Sequence, residues 1–115
     1  MEHKRLHVKR RVTKSGSVFA ITFTRKMVED AGFRLGDKVF VVVRLNGVTI
    51  YADFRKLTIV GNLPAVTLSS HLVKVWRLLY EARAEVEVEL SVPDTEIIAS
   101  TVSELLGSSK ASHQL

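Results

Sequence analysis

The sequence predicts a mostly β protein with two short α-helices, built from two tandem copies of a strand–helix–hairpin unit. Three observations support this fold class. Apolar runs of strand length recur along the chain, for example over residues 18–23 and 39–43. Asn46-Gly47 is the dipeptide that two-residue hairpin turns prefer. The pattern of the first half also recurs in the second half.

The internal repeat has two offsets, one before and one after the helix of each unit. At an offset of 45 residues the matching pairs are Val12 with Leu57, Gly16 with Gly61, Ile21 with Val66 and Met27 with Leu72. At an offset of 47 residues they are Val39 with Val86, Val43 with Leu90, Asn46-Gly47 with Pro93-Asp94, Ile50 with Ile97 and Ala52 with Ala99. The repeat predicts two units, over about residues 6–52 and 53–100.

The first unit begins with a strand whose two faces differ. Leu6, Val8 and Val12 alternate with basic or polar residues, which predicts one dry face and one basic face carrying Lys9 and Arg11. A loop over residues 14–17 then leads into an apolar strand.

A short helix follows the apolar strand. Thr24 is suited to the N-cap, because its hydroxyl can accept a free N–H of the first turn. Gly32 is suited to the left-handed position that ends a helix.

The run Val39–Val43 is apolar on both faces, which predicts that Phe40 and Val42 are covered as fully as their neighbours. The second helix, at about residues 69–81, carries Trp76 on the same apolar face as Leu72 and Leu79. We therefore expect Trp76 to be a core residue.

The segment that joins these elements resembles a known family. Residues 16–37 read GSVFAITFTRKMVEDAGFRLGD, and the Leu-Gly-Asp-Lys-Val that ends at Val39 is the most specific part. This pattern is similar to the AbrB/SpoVT swapped-hairpin domain over about residues 10–52. The resemblance implies a DNA-binding transcriptional regulator, or the antitoxin half of a toxin–antitoxin pair.

The resemblance also implies how the two units combine. A single unit of this family cannot close its own sheet, and two units normally dimerise and exchange hairpins. Two tandem units can close the same swapped-hairpin barrel within one chain. We therefore expect one AbrB-like barrel over residues 1–100, followed by a disordered tail over residues 101–115.

The charge distribution agrees with a polyanionic partner. Residues 1–56 hold 13 Lys or Arg against 5 Asp or Glu, whereas residues 57–115 hold 4 against 7. The basic half predicts contacts with double-stranded DNA. Glu85, Glu87 and Glu89 alternate on one strand and are expected to form a separate face that repels DNA. The predicted DNA-binding residues are Lys4, Arg5, Lys9, Arg10, Arg11, Lys14, Ser15, Arg25 and Lys26.

The sequence does not carry a pattern typical of an enzyme. It has no cysteine, its four histidines lack metal-ligand spacing, and no nucleophile elbow or phosphate-binding loop is present. We therefore expect no catalytic residues, no metal and no cofactor. No apolar run reaches the length of a membrane helix, so a cytoplasmic protein without membrane contact is expected.

Two further expectations concern partners. A homodimer is expected, with the Phe40 and Val42 face as the joint, and the C-terminal tail is a candidate for binding a protein partner. Two alternatives to DNA binding stay open. One is a protein-interaction module such as an antitoxin-like partner binder, and the other is a double-psi-barrel substrate-recognition domain, which also repeats strand–helix units.

Overall fold

The computed structural model describes residues 4–113 and has two four-stranded antiparallel sheets and three α-helices. The strands are β1 (Arg5–Arg11), β2 (Thr13–Ser15), β3 (Val18–Thr22), β4 (Lys38–Leu45), β5 (Val48–Lys56), β6 (Thr58–Val60), β7 (Leu63–Thr67) and β8 (Glu85–Ser91). The helices are α1 (Arg25–Asp30), α2 (Val73–Ala82) and α3 (Thr95–His113), with a 3₁₀ turn at Ser70–Leu72 before α2. The predicted mostly β class is confirmed, with one helix more than expected.

The strand order places the two repeat units side by side. Sheet 1 has the order β1-β8-β4-β5, and sheet 2 has the order β2-β3-β7-β6. In sheet 1, the first strand of each unit pairs with the last strand of the other, β1 with β8 and β5 with β4. Each unit therefore runs from a first strand through a helix to a last strand, over residues 5–45 and 48–91.

The registers relate the two units by an approximate two-fold axis. Ile21 pairs with Val66, its equivalent at an offset of 45 residues, and Val42 pairs with Glu89, its equivalent at 47. An antiparallel strand pairs with its own copy at equivalent residues only where a two-fold axis passes between them. Backbone bonds outside the ladders repeat in the same way: Phe23 N–H donates to Pro64 O at 2.8 Å, and Leu68 N–H donates to Phe19 O at 2.9 Å.

The two sheets meet at two bends in the chain. Val12 alone separates β1 from β2, and Leu57 alone separates β5 from β6. Both residues are buried, at 4% and 0% exposure. Each first strand thus continues from one sheet into the other. The backbone pairing among the described strands nevertheless leaves two sheets that do not close into a barrel.

Local sequence signals placed the turns and caps correctly. Thr24 Oγ1 accepts the Met27 N–H at 3.1 Å, as an N-cap does. Gly32 follows α1 with a φ of +84°, the left-handed conformation that favours glycine. Asn46 and Gly47 both have positive φ, at 51° and 80°, as a type I′ hairpin turn requires.

The core lies between the sheets and beneath α2. The inward residues of the two central strands, Val39, Val41 and Val43 on β4 and Val86, Val88 and Leu90 on β8, are at most 1% exposed. Trp76 is also 1% exposed, which confirms its prediction as a core residue. Its ring packs edge-on against Tyr51 with centroids 5.2 Å apart, and its Nε1–H donates to Ser69 O at 2.8 Å.

Helix α3 covers the outer face of sheet 1, where Phe40 and Val42 are 4% and 1% exposed. Glu104 accepts hydrogen bonds from Arg44 at 3.4 Å and from Thr49 at 3.1 Å, which ties the helix to β4 and β5. The predicted cover of Phe40 and Val42 is therefore present. It comes from the same chain, whereas the sequence analysis expected it at a dimer joint.

The second unit ends differently from the prediction. The offset of 47 residues predicts a returning strand through Ile97 and Ala99, and composition predicts a disordered tail after residue 100. The structure has α3 over most of this segment, and residues 114 and 115 lie outside the described part. Asp94 explains the change, because its Oδ1 accepts the Glu96 N–H at 2.8 Å and its backbone oxygen accepts the Ile98 N–H at 2.9 Å. None of the helices in the described range is long and apolar enough to span a membrane.

The packing of α2 generates a stability prediction. Trp76→Ala should lower the free energy of unfolding by about 3–5 kcal/mol, because it removes a buried ring and leaves a cavity. Leu78, on the same helix, is 68% exposed, so Leu78→Ala should change stability by at most about 0.5 kcal/mol. Urea denaturation of both variants checks this, and equal losses would contradict the assignment of Trp76 to the core.

Candidate nucleic-acid interface

The basic face of β1 lies directly beside the glutamate face of β8. The register pairs His7 with Glu89, Lys9 with Glu87 and Arg11 with Glu85. Directly opposed residues of an antiparallel pair share a face. The expectation that the three glutamates form a separate face is therefore wrong. The two halves of the chain differ in charge, but the strand pairing interleaves them.

Several charges on this face neutralise one another. Arg5 forms an ion pair with Glu89, and Arg44 lies 3.6 Å from the same carboxylate. His7 Nε2 lies 3.2 Å from Glu87. Because the side chain of Glu89 is only 9% exposed, its two arginine neighbours compensate a carboxylate that is largely removed from water. Arg5, a predicted DNA contact, thus serves an internal interaction.

Lys9, Arg10 and Arg11 come together at the bend between β1 and β2. We call this site the first corner, a surface cleft of about 380 Å³. It is lined by Lys9, Arg10, Arg11, Thr13, Thr22 and Glu85. Arg10 is half-buried, and its Nε–H donates to the backbone oxygen of Thr22 at 2.8 Å. Lys9 and Arg11 are exposed and belong to none of the ion pairs found between described residues.

The other predicted contacts are spread over three places. Lys14 and Ser15 are exposed in β2, where the Lys14 ammonium lies 5.8 Å from the centre of the Phe19 ring. On α1, Arg25 donates to the backbone oxygen of Asn62 at 3.3 Å, and Lys26 pairs with Asp30 at 3.4 Å.

Lys4 lies with its side chain against Gly32, beyond the end of α1. The structure therefore unites Lys9, Arg10 and Arg11 in one cleft and continues them to Lys14 and Ser15 along the same bent strand. It leaves Lys4, Arg25 and Lys26 apart.

A second corner lies at the bend between β5 and β6, around Leu57. Arg55 is the equivalent of Arg10 at an offset of 45 residues, and its Nε–H donates to the backbone oxygen of Thr67, also at 2.8 Å. A second bond runs from Arg55 to Thr67 Oγ1 at 2.9 Å. Sequence analysis missed this residue, although the offset that aligns Val12 with Leu57 also aligns the two arginines.

The second corner also holds a buried tyrosine with a shifted pKa. The Tyr51 hydroxyl donates to Asp53 Oδ2 at 3.0 Å, and the same carboxylate oxygen lies 3.8 Å from Arg55. Burial, and then the hydrogen bond to Asp53, raise the pKa of Tyr51 from 10.0 to about 12. The neutral hydroxyl is thus the form that the fold stabilises.

Neither a metal centre nor a relative accounts for these features. In the part of the chain that the structure describes, no group of three or more His, Asp or Glu side chains is placed to hold a metal ion. Comparison with protein-family models, with curated proteins and with solved structures finds no match. The similarity to the AbrB/SpoVT domain therefore rests on the sequence motif and stays a prediction.

The raised pKa of Tyr51 gives a prediction for alkaline pH. A hydroxyl with a higher pKa in the folded state contributes stability that is fully present below about pH 10 and is lost as the pH rises towards about 12. The free energy of unfolding should thus fall more steeply over this window in the unmodified chain than in Tyr51→Phe. Urea denaturation at several pH values measures both curves, and parallel curves would show that Tyr51 has no part in the fall.

Proposed function

We propose that this protein is a DNA-binding transcriptional regulator that contacts duplex DNA through the first corner and the adjoining hairpin of β2 and β3. The observation that carries the proposal is the line of free cations along the bent strand. Lys9, Arg11 and Lys14 are exposed and unpaired among the described residues, and they follow one another along β1 and β2. Such a row can neutralise several phosphates at once.

Arg10 supports the row from below. Its bond to the Thr22 oxygen joins β1 to β3 at the bend, so the two flanking cations are presented by a fixed backbone. Thr13 strengthens the same junction, since its hydroxyl donates to the Ala20 oxygen at 3.0 Å. We therefore assign Arg10 a positioning role and Lys9 and Arg11 the phosphate contacts.

The fold we propose is the AbrB-like swapped-hairpin barrel in its one-chain form. What supports it is the exchange of first strands between the units and their continuation through Val12 and Leu57 into the second sheet. Arg10 and Arg55 bridge the sheets at equivalent positions, as the two seams of a barrel require. The approximate two-fold axis then takes the place of the dimer axis in the two-chain form.

A protein-interaction role is the second candidate, and α3 favours it. Val102 and Leu106 are 44% and 56% exposed on the side of this helix that does not face the sheet. The same apolar side chains make α3 the more suitable joint for the proposed homodimer, because the Phe40 and Val42 face is already covered.

Removing the free cations of the first corner tests the DNA-binding proposal. Lys9→Gln combined with Arg11→Gln should weaken binding to random duplex DNA and reduce the slope of log affinity against log salt by about 1.8, at about 0.9 for each phosphate contact. The control is Lys74→Gln with Arg77→Gln, which removes the same charge from the exposed face of α2. Equal slopes for the corner variant and the unmodified chain would refute the proposal.

A second pair of variants separates positioning from contact. Arg10→Ala and Arg55→Ala each remove an equivalent bond between the sheets, so both should lower the melting temperature by a similar amount. Only Arg10→Ala, measured below the melting transition, should also weaken DNA binding through the first corner. A similar weakening of binding in both variants would show that the arginines act through stability alone.

A further inference from the structure

Two lysines face each other at the second corner. Lys38 on β4 and Lys56 on β5 are directly opposed in the register, and both side chains are exposed. The Cβ atoms of such neighbours lie about 4.5–5.5 Å apart, and like charges at this distance destabilise a sheet. Neither lysine takes part in an ion pair within the described range.

The approximate two-fold axis shows how unusual this pair is. Lys56 is the equivalent of Arg11 at an offset of 45 residues, and Lys38 is the equivalent of Glu85 at an offset of 47. Arg11 and Glu85 are themselves directly opposed on β1 and β8. The same backbone position therefore holds a complementary pair at the first corner and two positive charges at the second.

The nearby carboxylates have other partners. Asp37 Oδ2 accepts the Arg34 N–H at 2.9 Å within its own turn. Asp53 accepts the Tyr51 hydroxyl and lies near Arg55. The positive charge of the lysine pair is thus left for a ligand to neutralise.

The surroundings also hold the two lysines in place. The next residues on the same face of the two strands, Phe40 and Phe54, pack with ring centres 5.2 Å apart. Arg55 fixes the adjacent bend through its two bonds to Thr67. Both ammonium groups therefore extend from a rigid part of the sheet.

We propose that Lys38 and Lys56 form a second phosphate-binding site, whose ligand is the backbone of the same DNA duplex that the first corner contacts. This inference rests on the proposed function. The two strands of a duplex are related by two-fold axes, and a protein with two equivalent basic sites about its own two-fold axis matches them. A single chain thereby offers the two contact sites that a symmetric dimer would offer.

The test compares two double variants of the full chain on random duplex DNA over a series of salt concentrations. Lys38→Gln with Lys56→Gln should reduce the slope of log affinity against log salt by about 1.8, at about 0.9 for each phosphate that is no longer neutralised. Its melting temperature should equal or exceed that of the unmodified chain, because the repulsion across the strands is removed. Lys74→Gln with Arg77→Gln again serves as the charge-matched control.

A gain of charge at the first corner provides an independent measurement. Glu85→Lys places there the same like-charged pair that the second corner carries, and should raise both the affinity and the salt slope.

The outcomes separate the two proposals. If Lys9→Gln with Arg11→Gln reduces the slope but Lys38→Gln with Lys56→Gln keeps the slope of the unmodified chain, the second site is refuted and DNA binding stands. If the unmodified chain shows no salt-dependent binding to duplex DNA, the proposed function and the second site fail together. A reduced slope in the Lys38 and Lys56 variant that the control reproduces would also refute the site, because it would then reflect net charge alone.

Discussion

The antiparallel pairing of the two repeat units across their approximate two-fold axis is the constraint on which the rest of the structure depends. β4 pairs with β8 in one sheet and β3 with β7 in the other. A strand such as Val39–Val43 is buried on both faces, and both of its edges need partners, because an unpaired buried backbone group is costly. β5 satisfies one edge and β8 the other, so neither unit can bury its central strand without its copy.

The same pairing explains which features the sequence could predict. Local signals were sufficient for the Thr24 cap, the Asn46-Gly47 turn and the burial of Trp76, because each depends on neighbouring residues or on one apolar face. The offsets of 45 and 47 residues identified equivalent residues. They did not identify paired residues, since pairing depends on the position of the two-fold axis, and an axis is a property of the folded chain. Separating the charges by halves of the sequence failed for this reason, since β1 and β8 come from opposite halves and lie side by side.

Helix α3 shows a second limit of prediction from a repeat. The offset that aligns β4 with β8 continues into Ile97 and Ala99, and so predicts a strand there. Asp94 instead bonds to the N–H of Glu96 and begins a helix. The need for a cover over Phe40 and Val42 was readable from the sequence, because a strand that is apolar on both faces cannot leave one face in water. The source of that cover was not readable, since a partner chain and a later segment of the same chain satisfy the same requirement.

A duplicated scaffold allows its two copies to share geometry while they differ in charge. Arg10 and Arg55 reach equivalent carbonyl oxygens at the same distance, 2.8 Å, so the backbone at the two bends is closely similar. Against this constant geometry, the opposed pair changes from Arg11 and Glu85 to Lys56 and Lys38. Packing cannot account for the difference, because all four side chains are exposed and the core beneath them is equally buried. Whatever distinguishes the corners must therefore act from the solvent side, where charge decides which ligands approach.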